Sequence, residues 1–189
     1  MSSKEYCDRC ICTNVAMVYN GIPYCLNCLD NVKLPEFFIE HTAPNLLGNY
    51  EPPTQILENV YISNLKSVNN NELLKLGIEN IVICGRGLKN SNHDGFNNLH
   101  LLITDTLNQE IIPYVEIVNQ FLDIHHDKKT LLHCYSGMSR SGSILIGYLM
   151  YKFNYEYETA FNFVKEKYPR VWPNESFQEQ LRKWYNSRK

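Results

Sequence analysis

The hydrophobic pattern of the chain changes from about residue 55 onward, where short apolar runs alternate with longer amphipathic stretches. Short runs of this kind, bounded by polar or turn-forming residues, predict buried strands. The runs are NVYIS (59–63), IENIVIC (78–84), LHLLITD (99–105) and TLLH (130–133).

Apolar residues in the stretches between and after these runs recur at helical spacing. They predict an amphipathic helix from Ile111 to His125, and a helix from Ser141 to Phe153 that is apolar on most faces, as buried helices are. Further helices are predicted at 67–77, 157–168 and 177–187. Strands that alternate with helices favour an α/β fold with a mostly parallel central sheet flanked by helices. Such sheets bind ligands beyond the carboxyl ends of their strands, so the residues that follow each strand are candidates for a site.

The first 33 residues follow a different pattern, because they carry five of the seven cysteines. Four of the five form two C-x-x-C pairs, which are Cys7 with Cys10 and Cys25 with Cys28. Between the pairs, VAMVYNGIPY (15–24) predicts a short hairpin with an Asn-Gly turn. Four thiolates so arranged suit a structural zinc ion, whose binding supplies the folding energy that so small a segment lacks. Cys12 is an alternative ligand to Cys10, and free or disulfide-paired cysteines are the alternative to zinc.

These patterns divide the chain into a zinc-binding segment at 1–33, a proline-containing linker at 34–54 and a larger α/β domain at 55–189. The formal net charge of −2 argues against a dedicated nucleic-acid binder, which normally carries a basic excess. No apolar run approaches the roughly 20 residues of a membrane span, and the N-terminus lacks the apolar stretch of a signal peptide. We therefore expect an intracellular protein that binds neither nucleic acid nor membrane. The cytoplasm is the expected location, with the nucleus left open.

The stretch HCYSGMSRSG (133–142) joins the last predicted strand to the apolar helix. A tight strand-to-helix turn directs backbone N–H groups inward and adds the positive end of the helix dipole, which forms an anion site. The residues of this cradle are Tyr135, Ser136, Gly137, Met138, Ser139 and Arg140. Arg140 can present a planar fork to two phosphate oxygens, and Cys134 lies where helix and arginine both favour a reactive thiolate. The sequence therefore predicts a phosphate site with a cysteine nucleophile, against the alternative of a plain turn with a buried thiol.

This motif resembles the signature loop of the cysteine-based protein tyrosine phosphatases: His-Cys, five residues, Arg, then Ser or Thr. SRSGSILIGYLM (139–150), PNESFQEQL (173–181) and ILENVYISNLKSV (56–68) resemble the dual-specificity branch of that superfamily. The resemblance extends over about residues 55 to 185 and does not include the cysteine-rich segment. It implies a dual-specificity phosphatase catalytic domain in which His133 orients the nucleophile and Ser141 donates a hydrogen bond to the departing thiolate. Asn174 either braces the loop or starts the last helix.

The resemblance also implies a general acid on a loop about thirty residues before the cysteine. Asp105 follows LHLLIT and lies 29 positions before Cys134, so it is the favoured acid. Proton donation of this kind contributes about 10²–10⁴ in rate. Asp94, in a polar loop, and Asp123 and Asp127, in or just after a predicted helix, are the alternatives.

The expected substrate is a phosphoprotein carrying phosphotyrosine, phosphoserine or phosphothreonine, and catalysis needs no cofactor. RNA 5′-triphosphatases and phosphoinositide phosphatases share the fold, but the loop carries no lysine and the chain no basic excess. A phosphopeptide-binding module is the non-enzymatic alternative, and a protein partner is expected at the zinc segment. Cys84 ends the strand IENIVIC, and similar cysteines in related phosphatases resemble a redox partner that captures the oxidised nucleophile. The alternative for Cys84 is a small buried side chain.

Overall fold

The structure is a computed structural model, which describes residues 17–19, 22–24, 50–86, 88 and 95–189. Within these ranges one sheet of seven strands runs in the order β2-β1-β6-β5-β7-β4-β3. The strands are β1 (Met17–Tyr19), β2 (Ile22–Tyr24), β3 (Thr54–Leu57), β4 (Val60–Ser63), β5 (Ile78–Cys84), β6 (Asn97–Leu101) and β7 (Lys129–His133).

The sheet is mixed, so the prediction of a mostly parallel sheet is corrected. Its four central strands, β6, β5, β7 and β4, are parallel to their neighbours. At one edge β3 pairs antiparallel with β4, because the two residues between these strands allow a hairpin and not a crossover. At the other edge the predicted hairpin of β1 and β2 is confirmed, and β1 pairs antiparallel with β6. The Asn20-Gly21 turn itself lies outside the described residues.

Helices cover both faces of the sheet, as predicted. They are α1 (Asn70–Leu76), α2 (Ile112–Ile124), α3 (Arg140–Phe153), α4 (Tyr157–Lys167) and α5 (Glu175–Ser187). Residues 65–67 form a single 3-10 turn, so Ser67, the first residue of the helix predicted at 67–77, is not part of that helix. Helix α1 begins later because Asn69 caps it, its Oδ1 accepting from the amide of Asn71 at 3.0 Å. No helix among the described residues is long and apolar enough to cross a membrane.

The core consists of two clusters, one on each face of the sheet. Alternate residues of a strand point to opposite faces, so Leu132 of β7 packs in the larger cluster and Leu131 in the smaller one. The larger cluster also contains the buried faces of α2 to α5, with α3 in contact with the other three. Cys84 and Cys134 both belong to this larger cluster. The parallel strands β5, β6 and β7 therefore direct their carboxyl ends, and the loops that follow, to one edge of the domain.

Candidate active site

The loop of residues 134–139 connects the end of β7 to the start of α3, as the motif predicts. Gly137 has φ of +75°, a left-handed conformation that favours glycine. A Cβ at this position would also lie 2.9 Å from the carbonyl oxygen of Ser63 and against the hydroxyl of Tyr168. Both the backbone conformation and the close packing therefore require glycine in the middle of the loop.

Backbone hydrogen bonds hold the loop from two sides. The amide of Leu65, just after β4, donates to the carbonyl of Tyr135 at 3.1 Å, and the amide of Trp172 donates to the carbonyl of Met138 at 3.1 Å. These contacts engage carbonyl groups of the loop, while the amide of Met138 donates to the Ser136 hydroxyl at 3.4 Å. The segments after β4 and before α5 thus brace a cradle whose N–H groups suit an anion.

Cys134 is fully buried at the base of the loop, and the Ser141 hydroxyl donates to its Sγ at 3.2 Å. The His133 side chain is also buried, with its Nδ1 3.3 Å from the carbonyl oxygen of Cys134. The imidazole thus contacts the backbone of the cysteine and can set the orientation of that peptide. The Arg140 side chain is buried as well, at 3% exposed.

Asp105 lies on the loop between β6 and α2 and reaches the rim of the cradle. Its Oδ1 accepts hydrogen bonds from the Ser139 hydroxyl at 2.7 Å and from the Asn174 side-chain amide at 2.9 Å. Its Oδ2 is 3.7 Å from Nε of Arg140. The nucleophile loop, the arginine and this carboxyl group therefore form one connected group.

The other candidate acids are elsewhere. Asp94 lies outside the described residues. Asp123 and Asp127 lie near the C-terminal end of α2, shortly before β7 begins, and so at the opposite edge of the sheet from Cys134. Burial alone would raise the pKa of Asp123, but hydrogen bonds from Lys152 and Tyr151 lower it below the usual value. A carboxyl group with a lowered pKa is a poor proton donor near neutral pH.

Asn174 has both of the roles that the sequence left open. Its Oδ1 caps α5 by accepting from the amide of Phe177 at 3.0 Å, while its Nδ2 binds Asp105. Its backbone amide also donates to the Ser139 hydroxyl at 3.1 Å. Ser139 is thus a contact between the phosphate loop, the Asp105 loop and the start of α5, a role that sequence reasoning did not assign to it.

Cys84 lies beside Cys134. Ile83 of β5 is paired with His133 of β7, so the next residue on each strand, Cys84 and Cys134, continues the same register. Neighbouring strands are about 4.8 Å apart, which is within the Cα separation that a disulfide spans. Both thiols are buried and free. Burial raises the pKa of Cys84 well above its usual value, the nearby Cys134 raises it further, and Arg140 lowers it.

Gly85, which follows Cys84, is a site residue that the sequence analysis did not identify. A Cβ there would lie 2.9 Å from Nη1 of Arg140, and its carbonyl is 2.7 Å from Nε2 of His100. The stretch ICGRG contained the signal, since a glycine directly after a buried strand commonly marks a close approach. Gln109, on the Asp105 loop, and Gln180, on α5, were also missed, although Gln180 belongs to the stretch PNESFQEQL.

The predicted zinc ligands, Cys7, Cys10, Cys25 and Cys28, and the alternative ligand Cys12 all lie outside the described residues. Within the ranges that are described, no group of three or more His, Cys, Asp or Glu side chains is arranged to hold a metal ion.

A mixed β-sheet flanked by helices, in which strand β7 leads into a loop of cysteine, five residues and arginine, is typical of the class of cysteine-based phosphatases. The chain belongs to one family of that class, described as dual specificity phosphatase, catalytic domain, which matches residues 60–187. The dual-specificity assignment made from the sequence is thereby confirmed.

Relatives of known name agree with this assignment. The chain is 33% identical over 132 residues to a protein of Dictyostelium discoideum named as a dual specificity protein phosphatase, which covers 69% of this chain and 34% of that one. It is 31% identical over 140 residues to a protein of Invertebrate iridescent virus 6 named as tyrosine phosphatase 123R. That alignment covers 71% of this chain and 95% of the viral protein. The chain thus spans about one third of the length of the first relative and nearly all of the second.

A similar solved structure is that of the human tyrosine phosphatase-like serine/threonine/tyrosine-interacting protein. The two share 28% identity with a TM-score of 0.67, over 72% of this chain and 97% of the other. The fold of the catalytic domain is therefore that of the dual-specificity phosphatases.

Proposed function

We propose that the protein is a phosphatase that hydrolyses phosphotyrosine, phosphoserine and phosphothreonine in phosphoproteins through a cysteinyl-phosphate intermediate. The observation that carries this proposal is the connected group of Cys134, Arg140 and Asp105. Asp105 accepts a hydrogen bond from Ser139 of the loop that follows Cys134 and is paired with Arg140. A nucleophile, an anion-binding fork and a proton donor, which phosphate-ester hydrolysis needs, thus lie in one site.

In the first step the Cys134 thiolate attacks phosphorus, and the bond from phosphorus to the substrate oxygen breaks. Arg140 and the loop amides bind the equatorial oxygens, where negative charge is concentrated in the transition state. Asp105 donates its proton to the leaving oxygen, so the substrate departs as a neutral alcohol or phenol.

In the second step a water molecule attacks the phosphorus of the cysteinyl phosphate. The carboxylate of Asp105 takes a proton from that water, and the sulfur–phosphorus bond breaks with its electron pair returning to Cys134. The Ser141 hydroxyl stabilises the thiolate that forms. Inorganic phosphate then leaves, and no cofactor takes part in either step.

Two substitutions test the mechanism. Cys134→Ser should abolish turnover of an aryl phosphate while retaining affinity for tungstate. Asp105→Asn should lower kcat by about 10²–10⁴ on substrates with poor leaving groups, and far less on those with good ones. Asp123→Asn is the matched control, because it removes a carboxylate at the opposite edge of the sheet. Turnover by Cys134→Ser within tenfold of wild type contradicts the mechanism.

The substrate class needs a separate panel of phosphotyrosine, phosphoserine and phosphothreonine peptides, a phosphoinositide and an RNA with a 5′-triphosphate. Hydrolysis of all three peptides is the expected result. Preference for the lipid or the RNA identifies the corresponding alternative, and tight peptide binding without turnover identifies a binding module.

We propose further that Cys84 protects the nucleophile from irreversible oxidation. Hydrogen peroxide oxidises the Cys134 thiolate to a sulfenic acid, which the Cys84 thiol attacks to form a disulfide with loss of water. The proposal is supported by the shared strand register and burial of both thiols. After peroxide and then a dithiol reductant, wild type should regain activity and Cys84→Ser should not. Equal recovery of activity by both proteins would mean that Cys84 is only a small buried side chain of the core.

We also propose that Cys7, Cys10, Cys25 and Cys28 bind one structural zinc ion. The β1–β2 hairpin supports this, because Met17 and Tyr24 are paired and one C-x-x-C pair precedes Met17 in the sequence while the other follows Tyr24. Elemental analysis should find one zinc per chain, and Cys7→Ser or Cys25→Ser should release it. Activity on small substrates should persist, while the melting temperature should fall because β6 loses an ordered neighbour. A chain without metal contradicts the proposal.

The proposed location is the cytoplasm, and the proposed partner at residues 1–33 is a protein. Imaging of a tagged chain tests the first point. Comparison of the proteins captured by wild type and by Cys25→Ser tests the second, since a partner of the zinc segment should be lost with the metal.

A further inference from the structure

The loop that carries Asp105 runs from the end of β6 to the start of α2, residues 102–111, without regular secondary structure. No hydrogen bonds of a regular strand or helix therefore fix the position of the carboxyl group. A misplacement of about 1 Å is enough to cost on the order of a hundredfold in a catalysed step. The contacts that hold this loop therefore control whether Asp105 can donate its proton.

Gln109 closes the loop across Asp105. Its Oε1 accepts hydrogen bonds from the backbone amide of Thr104 at 3.0 Å and from the hydroxyl of the same residue at 2.9 Å. The amide of Gln109 donates in turn to the carbonyl of Thr106 at 3.2 Å. Residues 104 to 109 thus form a closed turn with the carboxyl group on it.

Gln180 of α5 attaches this turn to the rest of the domain. Its Nε2 donates to the carbonyl of Gln109 at 2.8 Å, and its Oε1 accepts from the amide of Ile111 at 2.8 Å. A third contact, from Nε2 to the Ser176 hydroxyl at 3.0 Å, fixes the side chain on its own helix. Both ends of the amide group are therefore used on the loop backbone, a pairing that needs a primary amide.

The same helix also binds the carboxyl group. Asn174, at the N-cap of α5, donates to Asp105, and Gln180 follows six positions later. One rigid element thus holds both the catalytic group and the base of its loop. We infer that Gln180 is a positioning residue for proton donation, which keeps the loop closed so that Asp105 stays at the phosphate cradle. This inference rests on the proposed function, in which Asp105 is the general acid.

The test uses two substrates that differ in their need for a proton. A phenyl phosphate has a poor leaving group and needs the acid, whereas a p-nitrophenyl phosphate needs it much less. Gln180→Met keeps the length and bulk of the side chain but removes both loop contacts. We expect kcat on the phenyl phosphate to fall about 10- to 100-fold, and kcat on the p-nitrophenyl phosphate to stay within about threefold.

Gln178→Met is the matched control. Gln178 is on the same helix and is also half-buried. It donates to the carbonyl of Pro173 at 2.9 Å and has no hydrogen bond to the loop of residues 102–111. It should show no dependence on the leaving group. Gln180→Glu should be intermediate, because it keeps the acceptor for Ile111 and loses the donor to Gln109.

The outcomes separate this inference from the proposed function when Asp105→Asn is measured in parallel. A variant that merely unfolds loses activity on both substrates equally. An equal fall in kcat on both substrates in Gln180→Met, or no fall on either, therefore overturns the positioning role. If Asp105→Asn shows the leaving-group dependence and Gln180→Met does not, the inference fails and the proposed function stands. If Asp105→Asn shows none, the assignment of the acid fails and the inference fails with it.

Discussion

The hydrogen bond from Ser141 to Cys134 leads to a kinetic prediction that separates the two chemical steps. Both groups are fully buried, and the Oγ to Sγ distance is 3.2 Å. A hydrogen bond to a charged group contributes about 1.5–3 kcal/mol, and each 1.4 kcal/mol is a factor of ten. Removing this hydrogen bond with Ser141→Ala should therefore lower the rate constant of any step in which the thiolate forms by about 10- to 150-fold.

The effect should fall on one step only. In the first step the sulfur loses its negative charge as it attacks phosphorus, so the hydrogen bond stabilises the reactant and its removal does not slow the attack. In the second step the sulfur regains that charge, and the hydrogen bond stabilises the transition state. Ser141→Ala should accordingly accumulate cysteinyl phosphate on Cys134.

The assay is rapid mixing with an aryl phosphate. The variant should release one phenol per chain in a burst, followed by slow turnover, and an acid quench should trap a phosphorylated chain for mass spectrometry. Ser143→Ala is the matched control: its buried hydroxyl bonds the carbonyl of Ser139, which its own backbone amide also binds. Slow turnover of Ser141→Ala without a burst or a trapped intermediate would refute the reasoning.

Three further predictions concern the loop and the core. Arg140→Lys should lower kcat/KM by about 10²–10³ and weaken tungstate binding, because an ammonium group cannot replace the planar fork; turnover near wild type contradicts this. Gly137→Ala should lower both kcat/KM and the melting temperature, since alanine in the left-handed conformation costs about 1–2 kcal/mol and meets the Tyr168 hydroxyl; Tyr168→Phe in the same chain should restore part of the loss. Burial raises the pKa of Tyr114 from 10.0 to about 12, so its contribution to stability is complete below pH 10 and lost as the pH rises through 12. Urea unfolding should therefore show that, between pH 9 and pH 11, the free energy of unfolding of wild type falls by about 1.3 kcal/mol relative to that of Tyr114→Phe. A difference in unfolding free energy that does not change with pH would contradict the raised pKa.

The parts of the fold that the sequence predicts well are those with a local signal. The strand at 78–84 has the predicted bounds, because its apolar residues, Ile78 and the buried run 81–84, lie between Gly77 and the loop that begins at Gly85. The phosphate loop is equally local, since strand, glycine-containing turn and helix lie within 25 consecutive residues, 129–153. Strand β3 was missed because TQIL is short and follows two prolines, and only its pairing with β4 makes it a strand.

The contacts around Asp105 could not be read from the sequence in the same way. Spacing alone suggested Asp105, but its partners Ser139 and Asn174 lie 34 and 69 positions away. Which polar side chains meet across such separations depends on where loops end, and loop ends have no periodic signal. Gln109 and Gln180 were missed for the same reason, as was the pairing of β1 with β6, which depends on a free sheet edge and on no residue type.

Ser139 links the loop that carries Cys134 to the carboxyl group of Asp105, so the proposed nucleophile and acid cannot move independently in this domain. Its hydroxyl donates to Asp105 and accepts from the amide of Asn174, and its carbonyl binds the first turn of α3 through Ser143. A shift of the phosphate loop therefore moves the carboxyl group, and a shift of α5 moves both. Groups that share hydrogen bonds in this way have coupled energies, so losses at these positions will not add. In the proposed site the loop of residues 134–139, Arg140 and Asp105 thus supply the reacting groups, and the start of α5 sets their geometry.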